Sequence, residues 1–556
     1  MMPSALVALL LTASVTNTET VHALSRFGGH VVACTEGGLE LFTLAGQPVR
    51  TLKVEDGLPS HACRALEVAG DRLFAATDEG VVALDAGWRV EPVLEARWHA
   101  LPAAGGREAG RYREELLRLA SRLPAGTPCT AFSEGHVGTA DGQVLELNSG
   151  RTWRVPGAVQ LLDEGGNALR IGTTEGAFTL GEEGLAEHPV PVGPLAYTRG
   201  PDGQLRVLGS EGEARRWGAR EGEARAMPVD VTSALDVNGV AWAGTRGQGV
   251  FRRDAGGWKR VTPAGQLCGN HVTALARHQG RLVVGTFDRG VCWERSDGHW
   301  QTFRAPALPS NQVLGLGSDG QNLYVATTYG LGLYDGKTWT QMAYGGRNPV
   351  ALGRLSVLAA VVGMEQGVAL VDGRGASLVV PRSRPLAMVK RLALPEGWSE
   401  HPSVADGAGH FLWVASEDRG LVRWDGTQWK RFHDGRDLTD NWVTALAVDA
   451  QGRAVVGTCQ DGFSYFDGER WARVPQAEGL PSRYMVAAAL VPGGALVGTL
   501  LGAAHYDAAS GTVRPLPRLA DPRVYAILVE GNAAVFGTEG GLSRLDWTAA
   551  AAMARR

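Results

Sequence analysis

At 556 residues the chain exceeds what one hydrophobic core usually organises, so two or more domains are expected. Its 76 glycines, about twice the usual share, suit turn-dense β repeats and leave little room for long helices. A formal net charge of −4, with acids and bases interspersed, gives no basic footprint and excludes nucleic acid as a partner.

Residues 5–15 read ALVALLLTASV, an apolar run too short to span a bilayer. Two readings fit residues 1–20. The run has the length of a secretory signal core, although no Lys or Arg precedes it and no small-x-small cleavage site precedes Thr20. Alternatively it is a strand that closes a ring against the last repeat of the chain, which lacks an obvious fourth strand. The signal reading places the protein in the periplasm or outside the cell.

A repeated unit follows, clearest at residues 442–474, WVTALAVDAQGRAVVGTCQDGFSYFDGERWARV. It holds four short extended runs separated by hairpin-type turn residues at 449–452, 460–462 and 467–468. Four strands in about 40 residues describe one propeller blade. Thirteen copies are visible, anchored on Thr35, Thr77, Thr139, Thr173, Ser210, Thr245, Thr286, Thr327, Gly363, Ser416, Thr458, Thr499 and Thr538. Most anchors lie 34 to 42 residues apart, and two longer steps, before Thr139 and Ser416, mark insertions. Within the first, residues 107–123 place Leu116, Leu117, Leu119 and Leu123 near one face of a helix that Pro124 ends. The second, 382–398, is basic and proline-punctuated and reads as a surface loop.

Residues that recur once per blade read as structural. The Gly of Gly-Thr lets neighbouring blades approach, the Asp-Gly pairs at 297–298, 335–336, 425–426 and 467–468 suit two-residue turns, and Trp300, Trp339, Trp429 and Trp471 cap the packing between blades. Propellers usually hold four to eight blades, so the fold class is all-β with two tandem propellers, six and seven blades or seven and seven. The first ring is placed at 21–264 and the second at 265–548, with a tail at 549–556.

The recurring pattern resembles the two-component regulator propeller repeat. Its connector appears as Gly57-Leu58-Pro59-Ser60, Ala307-Leu308-Pro309-Ser310 and Gly479-Leu480-Pro481-Ser482, and its core as Gly-Thr followed by Tyr-Asp-Gly-x-x-Trp at 334–339. The resemblance covers roughly residues 20 to 548. In that family such repeats form extracytoplasmic sensors of membrane histidine kinases, commonly as two rings. Residues 547–556 carry no kinase and no membrane span, so a sensor or interaction platform without its own output is expected.

Function is sought in positions that vary between blades. The loop after the second strand and the connector between blades emerge on one face of a propeller. In the second ring they supply Asn270, His271, Asp288, Arg289, Asn311, Tyr329, Asp418, Arg419, Asn441, Trp442, Asp461, Arg483 and Tyr484 as candidate ligand-binding residues, beside Glu417 and Gln460. This mixture suits a polar or anionic small ligand, such as an oligosaccharide, or a protein partner. The first ring offers only Glu36, Asp78, Glu175 and Arg246 and reads as scaffold. The leading expectation is a non-catalytic binding or sensor protein without cofactor or metal. The alternative is a carbohydrate-active enzyme, a polysaccharide lyase or glycosidase, with His271, Asp288 and Arg289 as the acid–base group. A quinone-dependent dehydrogenase, raised by Asp335–Trp339, lacks the longer consensus. The six cysteines show no Cys-x-x-Cys; Cys34 and Cys459 read as packed core thiols, and a Cys268–Cys292 bridge is conceivable.

Overall fold

In the computed structural model of the chain, residues 11–94, 129–342 and 358–549 are described, apart from short stretches within these ranges. The chain divides into two compact units, Thr16–Ala264 and Gly265–Arg556 joined by Met1–Val15. The described residues form thirteen four-stranded sheets, each an antiparallel meander. Six lie in the first unit, at 21–52, 63–94, 129–154, 159–188, 195–224 and 231–260. Seven lie in the second, at 272–303, 313–342, 358–392, 402–432, 443–474, 485–515 and 524–546.

Inner strands pack side by side around each unit. Val272–His278 contacts Val313–Ser318 on one side and Val524–Glu530 on the other, which closes the second ring. In the first, Val21–Phe27 contacts both Cys63–Ala69 and Val231–Val237. The seventh blade of the second ring takes its outer strand from the far end of the chain: Leu11–Val15 runs antiparallel to Gly541–Asp546, with Leu11 opposite Leu545 and Val15 opposite Leu542.

The seams explain the repeated Gly-Thr. A Cβ built on Gly285 would lie 2.5 Å from Val313 Cγ1 of the next blade, one on Gly457 2.5 Å from Met485 Cβ, and one on Gly537 2.5 Å from Val272 Cγ1 across the closing seam. The neighbour in each case is the first residue of the next inner strand, so a larger residue would wedge the blades apart. The threonine is fully buried, and its hydroxyl donates to the glycine carbonyl beyond the turn, as in Thr286 to Gly290 at 2.8 Å and Thr458 to Gly462 at 3.0 Å. That bond satisfies a polar group no water reaches. Gly457→Ala should therefore cost roughly 1–3 kcal/mol by overpacking, read as a lowered denaturant midpoint for the second ring alone.

A disulfide uses the same slot. Cys34 stands where other blades carry glycine, Cys63 begins the next inner strand, and the two are bonded, so the first two blades of the first ring are covalently stapled. The expectation that Cys34 is a free core thiol is thus corrected: it faces the one neighbouring position from which a second cysteine can reach it. Cys268 and Cys292 are also bridged, fixing the connector that enters the second ring to the third strand of its first blade. Cys459 remains a free thiol.

Three further expectations change. The Asp-Gly turns at 335, 425 and 467 are four-residue loops: Tyr334 pairs with Trp339, Trp424 with Trp429 and Phe466 with Trp471. The aspartate makes the longer loop stable by accepting two amide N–H groups, as Asp425 Oδ1 does from Thr427 and Gln428 at 2.9 Å. These bonds hold the Asp425 carboxyl down at about 2. The third blade of the second ring pairs Leu358 with Asp372, so its anchor is Asp372, not Gly363, and residues 387–392 form its outer strand rather than a surface loop. The long step before Ser416 is therefore ordinary blade. Residues 107–123, read as a helix, lie outside the described residues.

Tryptophans do pack between blades. Trp471 lies 5.2 Å from Phe432 and 6.4 Å from Trp413 of the preceding blade, and Trp339 stacks on Trp293 at 6.4 Å.

Candidate functional site

In every second-ring blade with a Thr anchor, the first residue of the inner strand lies opposite that threonine, as Val272 does Thr286, Val443 does Thr458 and Val524 does Thr538. The incoming connector and the loop after the threonine therefore leave the sheet at the same edge. Backbone bonds of two kinds fix them together. The loop of its own blade donates to it: Phe287 N–H to His271 at 2.9 Å, Cys459 to Trp442 at 2.8 Å, Glu539 to Arg523 at 3.2 Å. The preceding blade donates through its glycine: Gly290 to Asn311 at 2.9 Å, Gly420 to Asn441 at 3.1 Å, Gly462 to Arg483 at 3.0 Å, Gly541 to Asn270 at 2.8 Å.

Of the thirteen predicted residues, Asn270, His271, Asn311, Asn441, Trp442 and Arg483 supply carbonyls of this clasp. The Asn311 and Asn441 side chains are also occupied, accepting from Ala305 N–H at 2.8 Å and Asp434 N–H at 2.9 Å, and Asn270 is buried. Asp288 pairs with the adjacent Arg289 at 3.5 Å and Asp418 with Arg419 at 3.3 Å, so these charges neutralise one another within single loops. Asp461 is half-buried, its N–H bonded to Thr458 Oγ1 at 3.3 Å. Arg483 lies over the Tyr484 ring at 5.6 Å. Tyr329, Trp442 and Tyr484 are the outward aromatic groups, exposed by 53%, 41% and 42%.

Sequence reasoning missed Phe287, Leu500 and Leu501, which share these loops and are also exposed. Their signal was available: each follows a Gly-Thr anchor, where other blades carry polar residues. It also missed a cluster across the closing seam. His271 stacks on Phe287 at 4.9 Å and meets Tyr525 of the last blade at 5.0 Å. The Tyr525 hydroxyl donates to Glu539 at 3.1 Å, and Arg523 bridges Glu539 at 3.0 Å and the buried Asp521 with two bonds of 2.9 and 3.0 Å.

The first ring holds its own convergence. Arg64 grips Asp78 with two bonds of 2.7 and 2.9 Å, reaches Glu36 at 3.5 Å and touches His22 Nε2 at 3.0 Å. His22 and Arg64 occupy the bulge beside the first residue of their inner strands, where Thr232 and Thr273 instead donate across the seam to Val21 and Val313 carbonyls. Glu36 and Asp78 come together here, while the Glu175 N–H bonds Thr173 Oγ1 and the Arg246 carbonyl accepts from Thr20. The Cys34–Cys63 bridge joins the two blades that carry the cluster.

This arrangement of blades has solved counterparts. PorZ, an essential bacterial surface component of the type-IX secretion system of Porphyromonas gingivalis, matches with a TM-score of 0.61 at 12% identity, over 96% of this chain and 86% of that one. The fold is a tandem β-propeller. The extracellular domain of BT3049 of B. thetaiotaomicron, described as part of a hybrid two-component system, matches at a TM-score of 0.41 and 14% identity, over 96% and 76% of the two chains. That of BT4673 from the same organism gives 0.37 and 12%, over 97% and 83%. No protein-family model and no curated relative matches the sequence.

Electrostatics divide the propeller's polar groups into two kinds. Burial holds the His271 imidazole below its ordinary value, against the pull of Glu539 and Asp288, so at neutral pH it is an uncharged ring in an aromatic stack. Burial, then the Glu539 carboxylate, pushes Tyr525 up to about 12 and keeps it a proton donor. Burial opposes the charge on Arg64, but its bonds to Asp78 and the field of Glu36 outweigh that and raise its pKa. These groups weld blades. No helix among the described residues is long and apolar enough to cross a membrane.

Proposed function

We propose that the protein is a non-catalytic docking module that binds a protein partner through the connector face of the second propeller. One observation carries this reading. Nine large hydrophobic side chains are exposed among the described residues, and six of them, Phe287, Tyr329, Trp442, Tyr484, Leu500 and Leu501, sit on the loops and connectors of that single face. A seventh, Leu314, stands at the start of an inner strand beside them. Exposed apolar side chains gathered on one face mark association surfaces in proteins whose remaining surface is polar. A pocket for a small polar ligand would instead need a convergent set of unpaired polar groups of both signs, and here Asp288 and Asp418 are taken by the arginines beside them. The enzyme reading loses support for the same reason: His271 lies between aromatic rings and Asp288 turns to Arg289. Two disulfides favour an oxidising, extracytoplasmic setting, in keeping with the propeller-sensor resemblance.

The test is site-specific photo-cross-linking in the native cell. A photoreactive phenylalanine placed at Tyr329 or Leu501 should give one discrete protein adduct, absent when the same group replaces the exposed Val49 or Leu185 of the first ring. The adduct should vanish in the Phe287→Ser, Tyr484→Ser double variant. Equal adducts from all four positions, or none from the second-ring face, would overturn the proposal.

A further inference from the structure

The docking face is not uniform in charge, and its sector around Trp442 differs from the rest. Trp442 is pinned between two loops: its carbonyl accepts from Cys459, while the Asn441 carbonyl beside it accepts from Gly420. Those loops carry Glu417, Asp418 and Arg419 before Gly420, and Gln460 and Asp461 before Gly462; the connector adds Asp440. Arg419 is taken by Asp418 at 3.3 Å. Among the described residues, Glu417, Asp440 and Asp461 have no basic partner, and Asp440 Oδ1 accepts only the Trp442 N–H at 3.3 Å. The carboxylates of Asp440 and Glu417 both act on the Cys459 thiol, which burial first and then their field hold above its ordinary value, and the Cys459 N–H is the one bonded to the Trp442 carbonyl, so both acids belong to the surroundings of this connector.

Elsewhere on the face the balance is different. Asp288 has Arg289, Glu539 has Arg523, and Arg483 covers Tyr484. Among the described residues, only at Trp442 does an open aromatic ring coincide with surplus negative charge. An indole face attracts cations through its quadrupole, and three carboxylates on the loops and connector that hold it set the sign of what is welcome.

We infer that this sector seats a basic side chain, arginine or lysine, projected by the protein partner, so that the partner's docking segment is cationic. This rests on the docking reading of the second-ring face and specifies the partner's chemistry. Arginine fits best, since its flat guanidinium can stack on the indole while its N–H edges reach the carboxylates.

The experiment uses the full chain and a fluorescent nona-arginine peptide, with nona-citrulline as an isosteric uncharged control, followed by anisotropy at low salt. Nona-arginine should bind and nona-citrulline should not. Trp442→Ala, which leaves the charge unchanged, should weaken binding about two- to fivefold. The Glu417→Gln, Asp440→Asn, Asp461→Asn triple variant should weaken it roughly tenfold and flatten the salt dependence. Asp288→Asn, three blades away around the ring, should leave it unchanged. Equal binding by the parent and both Trp442-sector variants, or an equal loss in Asp288→Asn, would mean non-specific attraction and overturn the inference. A Tyr329 photo-adduct that survives while nona-arginine fails to bind would overturn this inference alone and leave the docking reading standing. Loss of that adduct with peptide binding intact would strike the docking reading instead.

Discussion

Deleting residues 1–15 lowers the melting transition of the second propeller and leaves that of the first in place. Leu11–Val15 is the outer strand of the blade that also contains Val524–Glu530, Ala533–Thr538 and Gly541–Asp546, so its removal bares the ladder edge of the last of these. Leu542, Leu545 and Trp547 are buried in the truncated blade's neighbourhood and would lose cover. Five residues of pairing, at about 1 kcal/mol for each net hydrogen bond, together with the uncovered leucines, put the loss at roughly 4–6 kcal/mol. Two-transition calorimetry of the parent and the deletion resolves it. A shift of both transitions, or of neither, would contradict the assignment of this strand to the second ring.

The first propeller should lose stability as pH rises from about 4.5 to 7, because of one buried acid. Glu40 lies in the third strand of the first blade and is 2% exposed. It accepts a bond of 3.2 Å from Thr262, while Arg260 and Glu19, themselves paired at 2.6 Å, face it. Burial pushes its carboxyl up from 4.5 to about 7, and the bonds from Thr18 and Thr262 offset only part of that. The sign follows from proton uptake. Below about pH 4.5 the folded and unfolded chains both hold the proton and no penalty applies. Between 4.5 and 7 only the folded chain holds it, so stability falls with rising pH, and above 7 the full cost of the buried charge remains. At 1.36 kcal/mol per unit this amounts to about 3 kcal/mol. Glu40→Gln should remove the slope from the first transition and raise that transition at pH 8. Asp406, raised by burial from 3.8 to about 6, gives the second ring a dependence of the same sign at lower pH, between about 4 and 6, which Glu40→Gln should not touch. A parent whose first transition is flat from pH 5 to 8 would refute the assignment.

Much of the fold could be read from the residues because each blade repeats the same physical problem. Gly-Thr marks a seam where no Cβ fits and a hydroxyl must close a turn, and before each Thr or Ser anchor only small residues, glycine, alanine or the bridged Cys34, stand in that slot from blade to blade. Gly285, Gly457 and Gly537 are visible in sequence for this reason. The ninth copy was misaligned because Asp372 stands where threonine usually does, so periodicity alone gave no anchor. Disulfides were harder, since Cys34 and Cys63 are adjacent only once the blades are stacked. The same limit applies to the site. Trp442, Tyr329 and Tyr484 could be named as variable positions, but whether Asn311 and Asn441 face outward or bind their own loops depends on bends that composition does not encode. The His271–Tyr525 stack joins the first and last blades of a ring, a meeting that only closure creates.

One consequence of that closure concerns synthesis. Leu11–Val15 leaves the ribosome before either ring has been made, yet its partner Gly541–Asp546 is made only after all the other strands of both rings. Every blade of the first ring, residues 21–260, is translated in the interval and can form its seams without waiting for anything downstream. The leading strand must stay unpaired throughout, with an apolar edge open to other chains. This strand is therefore made before both rings and placed after them, and a helper that holds it would bind before the first blade is translated and let go once Gly541–Asp546 has emerged.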